Sequence, residues 1–193
     1  MIKDKRYILP AAFVLCLYVN AGLLLASMKH PMFFAAGIGI NIILGLANCV
    51  MAFVWCRQKN EEFLMDSMMI MKYGIMPFFI VYFLIAFVLG LVMVFIAGLI
   101  PAMLFMWIDY CILFVGTMYA VSYMIAMVRS GRMTALAAVW HALLQFVFVL
   151  DVADTVYLTA WKRRRGRKAL AVSMSVSALI LILFFLSSTA RPA

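Results

Sequence analysis

Acidic residues are scarce in this 193-residue chain, with seven Asp and Glu against sixteen Lys and Arg. Charge of either sign is thin, at 12% of residues, where a soluble domain carries about a quarter. A single water-facing globule is thereby excluded. Histidine occurs only at His30 and His141. The four cysteines, Cys16, Cys49, Cys56 and Cys111, form no C-x-x-C pair and fall within apolar runs or at the end of one. They read as small core residues rather than as a disulfide framework or a zinc site. No G-x-S-x-G, P-loop, glycine-rich phosphate loop or HExxH occurs, so no catalytic residue, cofactor or metal is expected. No repeat of fixed period is present.

What the chain has is hydrophobicity: 69% of residues are apolar and the mean hydropathy is +1.15. Most of the length must go into spanning segments. That leaves room for a single integral membrane domain over 1–193 and no second, soluble one. The net charge of +9 does not point to nucleic acid. The bases stand at the ends of apolar runs, where topology and anionic headgroups account for them. The lipid bilayer is the expected partner, with a membrane-protein partner or a homo-oligomer beside it.

Orientation follows from one junction. Lys162, Arg163, Arg164, Arg165, Gly166, Arg167 and Lys168 stand directly before the apolar run Ala169 to Leu186. Short basic loops stay cytoplasmic, and these six bases also suit lipid headgroups. The apolar runs predict an all-α polytopic protein with spans near 8–27, 32–55, 78–97, 102–127 and 169–187. Lys3, Lys5 and Arg6 before Ile8 imitate a signal peptide, but the run is longer than a signal h-region. It is read as an uncleaved first span. Lys29, His30 and Pro31 form a short loop, and Gly98 to Pro101 a tight turn. Arg57 to Asp66 is the first hydrophilic stretch. The methionine-rich segment 63–76 either lies at the interface or extends span three, with Pro77 set to kink or break it.

Met133 to Trp161 is long enough to cross, yet bases flank both ends. If it crossed, one basic cluster would face outward. The expectation is therefore five spans plus one amphipathic helix, 133–161, that lies in the interface or re-enters; six spans is the alternative. With a cytoplasmic N-terminus, the five-span count puts Lys3, Lys5, Arg6, Arg57, Lys59, Lys72, Arg129, Arg132 and the six bases of 162–168 inside. That is 14 of the 16 Lys and Arg, with Lys29 and Arg191 outside. The C-terminus is then outside. At helical spacing Thr134, His141, Gln145, Asp151, Thr155 and Thr159 share one side of the 133–161 helix, with Asp154 at its edge. Such a stripe suits an interfacial position or a cavity-facing span.

Asp109 is the best single candidate for chemistry, because an ionised carboxylate in hydrocarbon needs a partner, a wet cavity or a proton. It would serve as a proton, cation or ligand contact, or as a carboxylate bonded to a neighbouring helix. Gly37, Asn41, Gly45 and Asn48 are spaced 4, 4 and 3 apart on one face of span two. They predict a tight helix seam, with Asn20 of span one as partner. His141, Gln145, Asp151 and Asp154 are the densest polar set. His141 and Asp154 stand about 20 Å apart along a straight helix and meet only if that helix is broken. Asp151 and Asp154 could equally pair with Arg163 to Arg165. Ser173, Ser175 and Ser177 alternate and share no helix face.

Tyr73-Gly74-Ile75-Met76-Pro77-Phe78-Phe79-Ile80, the stretch Tyr119 to Ile125, and the stretch His141 to Asp151 resemble a family of small, uncharacterised multi-span bacterial membrane proteins. The resemblance implies no activity. In size and helix count the chain is also similar to the substrate-binding membrane subunits of energy-coupling-factor vitamin transporters, without sharing a motif of theirs.

Three functions follow as expectations. The first is a membrane subunit or accessory protein acting through helix–helix contacts in a transport or signalling complex. The second is a small solute- or ion-binding permease with Asp109, and with it His141, lining a cavity. The third is an intramembrane enzyme, which would need His141 or Asp109 to meet a nucleophile across helices.

Overall fold

Apolar runs bounded by capping signals become helices over nearly the whole chain. The computed structural model describes residues 5–26, 31–97 and 99–189. Lys3, the loop positions Lys29 and His30, Gly98 and Arg191 lie outside the described residues. After a 3-10 turn at Lys5–Tyr7 come α1 (Ile8–Ala26), α2 (Pro31–Arg57), α3 (Glu61–Ala97), α4 (Leu99–Arg129), α5 (Ala135–Leu144) and α6 (Leu150–Val156). α6 runs directly into a π-helix, Tyr157–Lys162, and α7 (Arg167–Thr189) follows. No strand occurs among the described residues. Three stretches there are long and apolar enough to cross a membrane: Ala35–Arg57, Glu61–Ile80 and Trp107–Arg129.

The helix ends have local causes. α2 closes with Lys59 N–H on the Cys56 carbonyl and Asn60 N–H on that of Trp55, and Lys59 takes the left-handed φ of 56° that this closure requires. The Asn60 side chain then accepts the Phe63 N–H at 3.1 Å, and Glu61 and Glu62 complement the dipole of the helix it caps. α4 closes the same way on Gly131, φ 71°. Thr134 caps α5 by accepting the Ala137 N–H at 3.3 Å.

α3 settles the status of the methionine-rich segment. Residues 63–76 are continuous with the apolar stretch after them, in one helix of 37 residues that passes through Pro77. Proline has no N–H, so the carbonyl four residues earlier, Tyr73 O, loses its helical donor. Ser173 of α7 supplies one, its hydroxyl donating to Tyr73 O at 2.6 Å. Tyr18 of α1 donates likewise to Gly74 O at 2.8 Å. The expected turn at Gly98 to Pro101 is also corrected. α4 already begins at Leu99, and Pro101 sits in its first turn, where no helical donor is needed.

α3 is the central helix, packed against α4, α7, α1 and α6, while α2 packs on α1 and α4. Phe63, Leu64, Met68, Met71, Tyr119, Tyr123, Met124, Met127 and Leu158 are among the fully buried side chains of the core. The methionines are packing residues, flexible enough to fill the irregular space between long helices.

The single amphipathic helix expected over 133–161 is two arms. α5 runs back along α4, the chain turns at 145–149, and α6 with its π-helical extension returns along α3. Arg132 at the start of the segment and Arg163 at its end both reach Glu61 Oε2, at 2.8 and 3.4 Å. A helical hairpin, and not a rod, therefore connects them. The π-helical turn shifts the facing of the last residues, and Thr159 meets the Tyr73 hydroxyl at 2.6 Å.

Candidate functional site: a polar network inside the hairpin

The break at 145–149 brings together side chains that a straight helix would hold apart. Val149 occupies the left-handed region at φ 72°, a strained conformation for a β-branched residue. The turn largely satisfies its own backbone, with Asp151 N–H on Val147 O at 2.9 Å and Ala153 N–H on Val149 O at 3.0 Å. Across the two arms, His141 Nδ1 bonds Asp154 Oδ1. Gln145 Nε2 donates to Asp154 Oδ2 at 2.7 Å, and Thr155 Oγ1 donates to Asp151 O at 2.8 Å.

Below the hairpin, Lys72 of α3 makes an ion pair with Asp151 at 2.8 Å, both side chains 4% exposed. Its ammonium also donates to Thr117 Oγ1 of α4 at 3.3 Å. Thr117 Oγ1 has two acceptors for its one proton, Leu113 O at 2.9 Å and Gln145 O at 3.0 Å. Gly116 makes room for the lysine stem, because a Cβ there would meet Lys72 Cε at 3.3 Å. A cavity of about 10 Å³ adjoins Lys72, Asp151 and Gly116, close to the space of one water. Gln145 is fully buried, and its Oε1 has no hydrogen-bond partner among the described residues. His141 is the network's outer member, 18% exposed and stacked on Tyr157 with ring centroids 5.8 Å apart.

His141, Gln145, Asp151 and Asp154 are thus one constellation. Lys72 and Thr117 complete it; the sequence reading grouped Lys72 with the cytoplasmic bases, whereas it is buried and paired with Asp151, and a lone lysine in an apolar, methionine-rich stretch was the available signal. Asp151 and Asp154 do not pair with the basic cluster, which corrects that expectation. Arg163 takes Glu61, and Arg165 takes Asp66 at 3.0 Å and Glu62 at 3.7 Å. Arg167 Nε donates to Ala160 O at 3.0 Å, while Lys162, Arg164 and Lys168 are exposed. Asp109 stands apart from the network, flanked by exposed Trp107, Ile108 and Tyr110, with Oδ1 enclosed and unpartnered among the described residues.

Gly37, Gly45 and Asn48 are buried on the face of α2 that meets α1 and α4. Asn20 packs its amide on Gly37, and a Cβ at Gly45 would meet Val115 at 3.2 Å and Phe13 at 3.4 Å. Asn48 accepts from the Tyr119 hydroxyl at 2.8 Å and donates to Leu9 O and Leu44 O. Asn41 is half-buried and its Oδ1 has no partner among the described residues. Ser173 and Ser177, four apart and buried, are the serines that count, and Ser175 is exposed. Among the described residues, no three His, Cys, Asp or Glu side chains cluster closely enough to hold a metal ion.

The match that places this chain among known sequences covers residues 7–165, everything from the start of α1 through both arms of the hairpin. The chain belongs to DUF6652, a family of unknown function. All six network residues lie within the part that matches the family; α7 lies beyond it. No curated protein and no solved structure matches the chain.

Proposed function

We propose that this DUF6652 protein is an integral membrane protein of five spans, α1, α2, the apolar part of α3, α4 and α7, with the α5–α6 hairpin re-entering from the cytoplasmic side. Two observations support the topology. Both hairpin ends reach Glu61, and Arg57, Lys59, Arg129, Arg132 and the 162–168 bases lie in segments that meet at that end of the bundle. α5 has ten residues, about 15 Å of helix. That carries the turn to the middle of a hydrocarbon core about 30 Å thick. The N-terminus is then cytoplasmic and the C-terminus outside.

Of the three expected functions, the geometry favours a small solute- or ion-binding permease, with its polar site in the hairpin rather than at Asp109. The observation that carries this reading is the buried set Lys72, Asp151, Gln145 and Asp154, with the partly exposed His141 bonded to its edge. Ionisable groups at mid-depth are costly and mark ion or substrate pathways. Broken backbone at that depth is tolerated where it is buried in protein or lines a wet cavity. His141 links the half-exposed flank to the interior, which suits transfer of a proton along the chain of pairs. The test is proton flux in liposomes reconstituted with the full chain and loaded with a pH-sensitive dye. The expected result is faster dissipation of an imposed gradient than in empty liposomes. His141→Ala and Asp154→Asn should abolish it, and Asp109→Asn should not. Flux equal to that of empty liposomes, or unaffected by both hairpin variants, rejects the reading.

Asp109 favours the second reading, a subunit working through helix contacts. Its enclosed Oδ1, unpartnered among the described residues and beside exposed Trp107 and Tyr110, suits a donor from another helix. A photo-crosslinker at position 107 in native membranes should then give one discrete adduct, and a smear or no adduct counts against it.

A further inference from the structure

The hairpin's base holds a second polar feature, separate from the buried network. A depression of about 600 Å³ opens between the α2–α3 turn, the end of α4 and the exit of the hairpin. Its lining carries four cations, Lys59, Arg132, Arg163 and Arg165, against two carboxylates, Glu61 and Glu62. Asp66, just outside the lining, pairs with Arg165 at 3.0 Å, so four cations against three carboxylates leave an excess of one positive charge.

The pairing inside the depression leaves that excess available. Arg132 and Arg163 share a single oxygen of Glu61, at 2.8 and 3.4 Å. One carboxylate cannot neutralise two guanidiniums, and each guanidinium has five N–H donors. Arg165 is held by Asp66 and loosely by Glu62, whose side chain is 82% exposed. Lys59 projects from the left-handed turn position and is exposed. Arg129, Lys162 and Arg164 in the adjoining segments are exposed and add to the field. Forked guanidiniums around a concavity of this size fit a phosphate oxygen set, and the volume lies in the range of small-ligand sites.

We infer that this depression binds a phosphate-bearing anion, presented as a phospholipid headgroup or as a free phosphate. The site uses residues outside the hairpin network and stands independently of the permease reading. Occupancy would bridge the two hairpin ends, since Arg132 precedes α5 and Arg163 follows the π-helix.

Native mass spectrometry of the full chain in mild detergent tests it. Phosphatidylglycerol is compared with phosphatidylcholine of the same acyl chains, and inorganic phosphate is offered to lipid-depleted protein. Lys59→Gln/Arg132→Gln should weaken the preferred ligand about thirtyfold at low salt, from about 1 kcal/mol per cation removed near an anionic headgroup. Glu62→Gln should strengthen it, an outcome that misfolding does not imitate. Phosphatidylglycerol preference moving in this order assigns the headgroup. A phosphate adduct moving in this order without lipid preference assigns the free anion. If neither ligand distinguishes the wild type from either variant, the site does not exist.

Discussion

Removing Lys72 takes the counter-charge from a carboxylate buried between α3 and the hairpin. The pair with Asp151 is 2.8 Å long and both side chains are 4% exposed. Lys72→Met keeps the stem that passes Gly116 and deletes the charge, leaving Asp151 enclosed without a counter-charge. Breaking a buried pair this way costs about 3–5 kcal/mol. Asp151→Leu strands the ammonium with Thr117 alone, at 3.3 Å, and should cost a similar amount. The double variant replaces both charges by apolar groups, and buried pairs so replaced come out neutral or more stable by about 1–4 kcal/mol. The two losses therefore should not add. The double variant should be far more stable than either single one. The assay is SDS titration of the full chain in mixed micelles, followed by far-UV circular dichroism. Single-variant losses that sum to the double within about 0.5 kcal/mol, the tolerance of independent sites, refute the claim that this pair is buried and coupled.

Two further outcomes are expected. Ser173→Ala leaves the proline-freed Tyr73 carbonyl without its donor and should lower stability by about 1–3 kcal/mol in the same titration, whereas Ser175→Ala, at an exposed position, should be silent. In a cysteine-free background, single cysteines at Ser130 and Lys168, both exposed at the hairpin's two ends, should be shielded from impermeant maleimide in intact cells, and one at the exposed Met103 should react. Opposite reactivity at 130 and 168 means that the segment crosses.

Legibility varied with the kind of signal. Helix type and the rough position of the apolar helices were readable, because apolar runs are a local signal. The Gly37, Asn41, Gly45, Asn48 face was readable from helical spacing, and Gly37, Gly45 and Asn48 are buried against α1 and α4. The bases on both sides of 133–161 argued that its ends share one side of the bundle, and Arg132 and Arg163 do meet at Glu61. The break itself was not legible. Gln145-Phe146-Val147-Phe148-Val149 contains neither Gly nor Pro, the residues that punctuate helices. Tertiary contacts on Gln145 and Asp151 hold Val149 in a conformation its own preference opposes. Lys72 was hidden for a related reason. Its partner is 79 residues away, and long-range pairing leaves no trace in local periodicity. The serines misled because three alternate, while only the pair spaced by four faces α3.

The proline in α3 also sets an order of events during synthesis. Pro77 is made early, yet the hydroxyl that answers the freed Tyr73 carbonyl belongs to Ser173, 100 residues later. Until α7 leaves the ribosome, α3 carries an unanswered acceptor in its middle. A chain halted before α7 should therefore leave the Tyr73 carbonyl to water or to another donor. The last helix acts as the fastener that makes the central one complete.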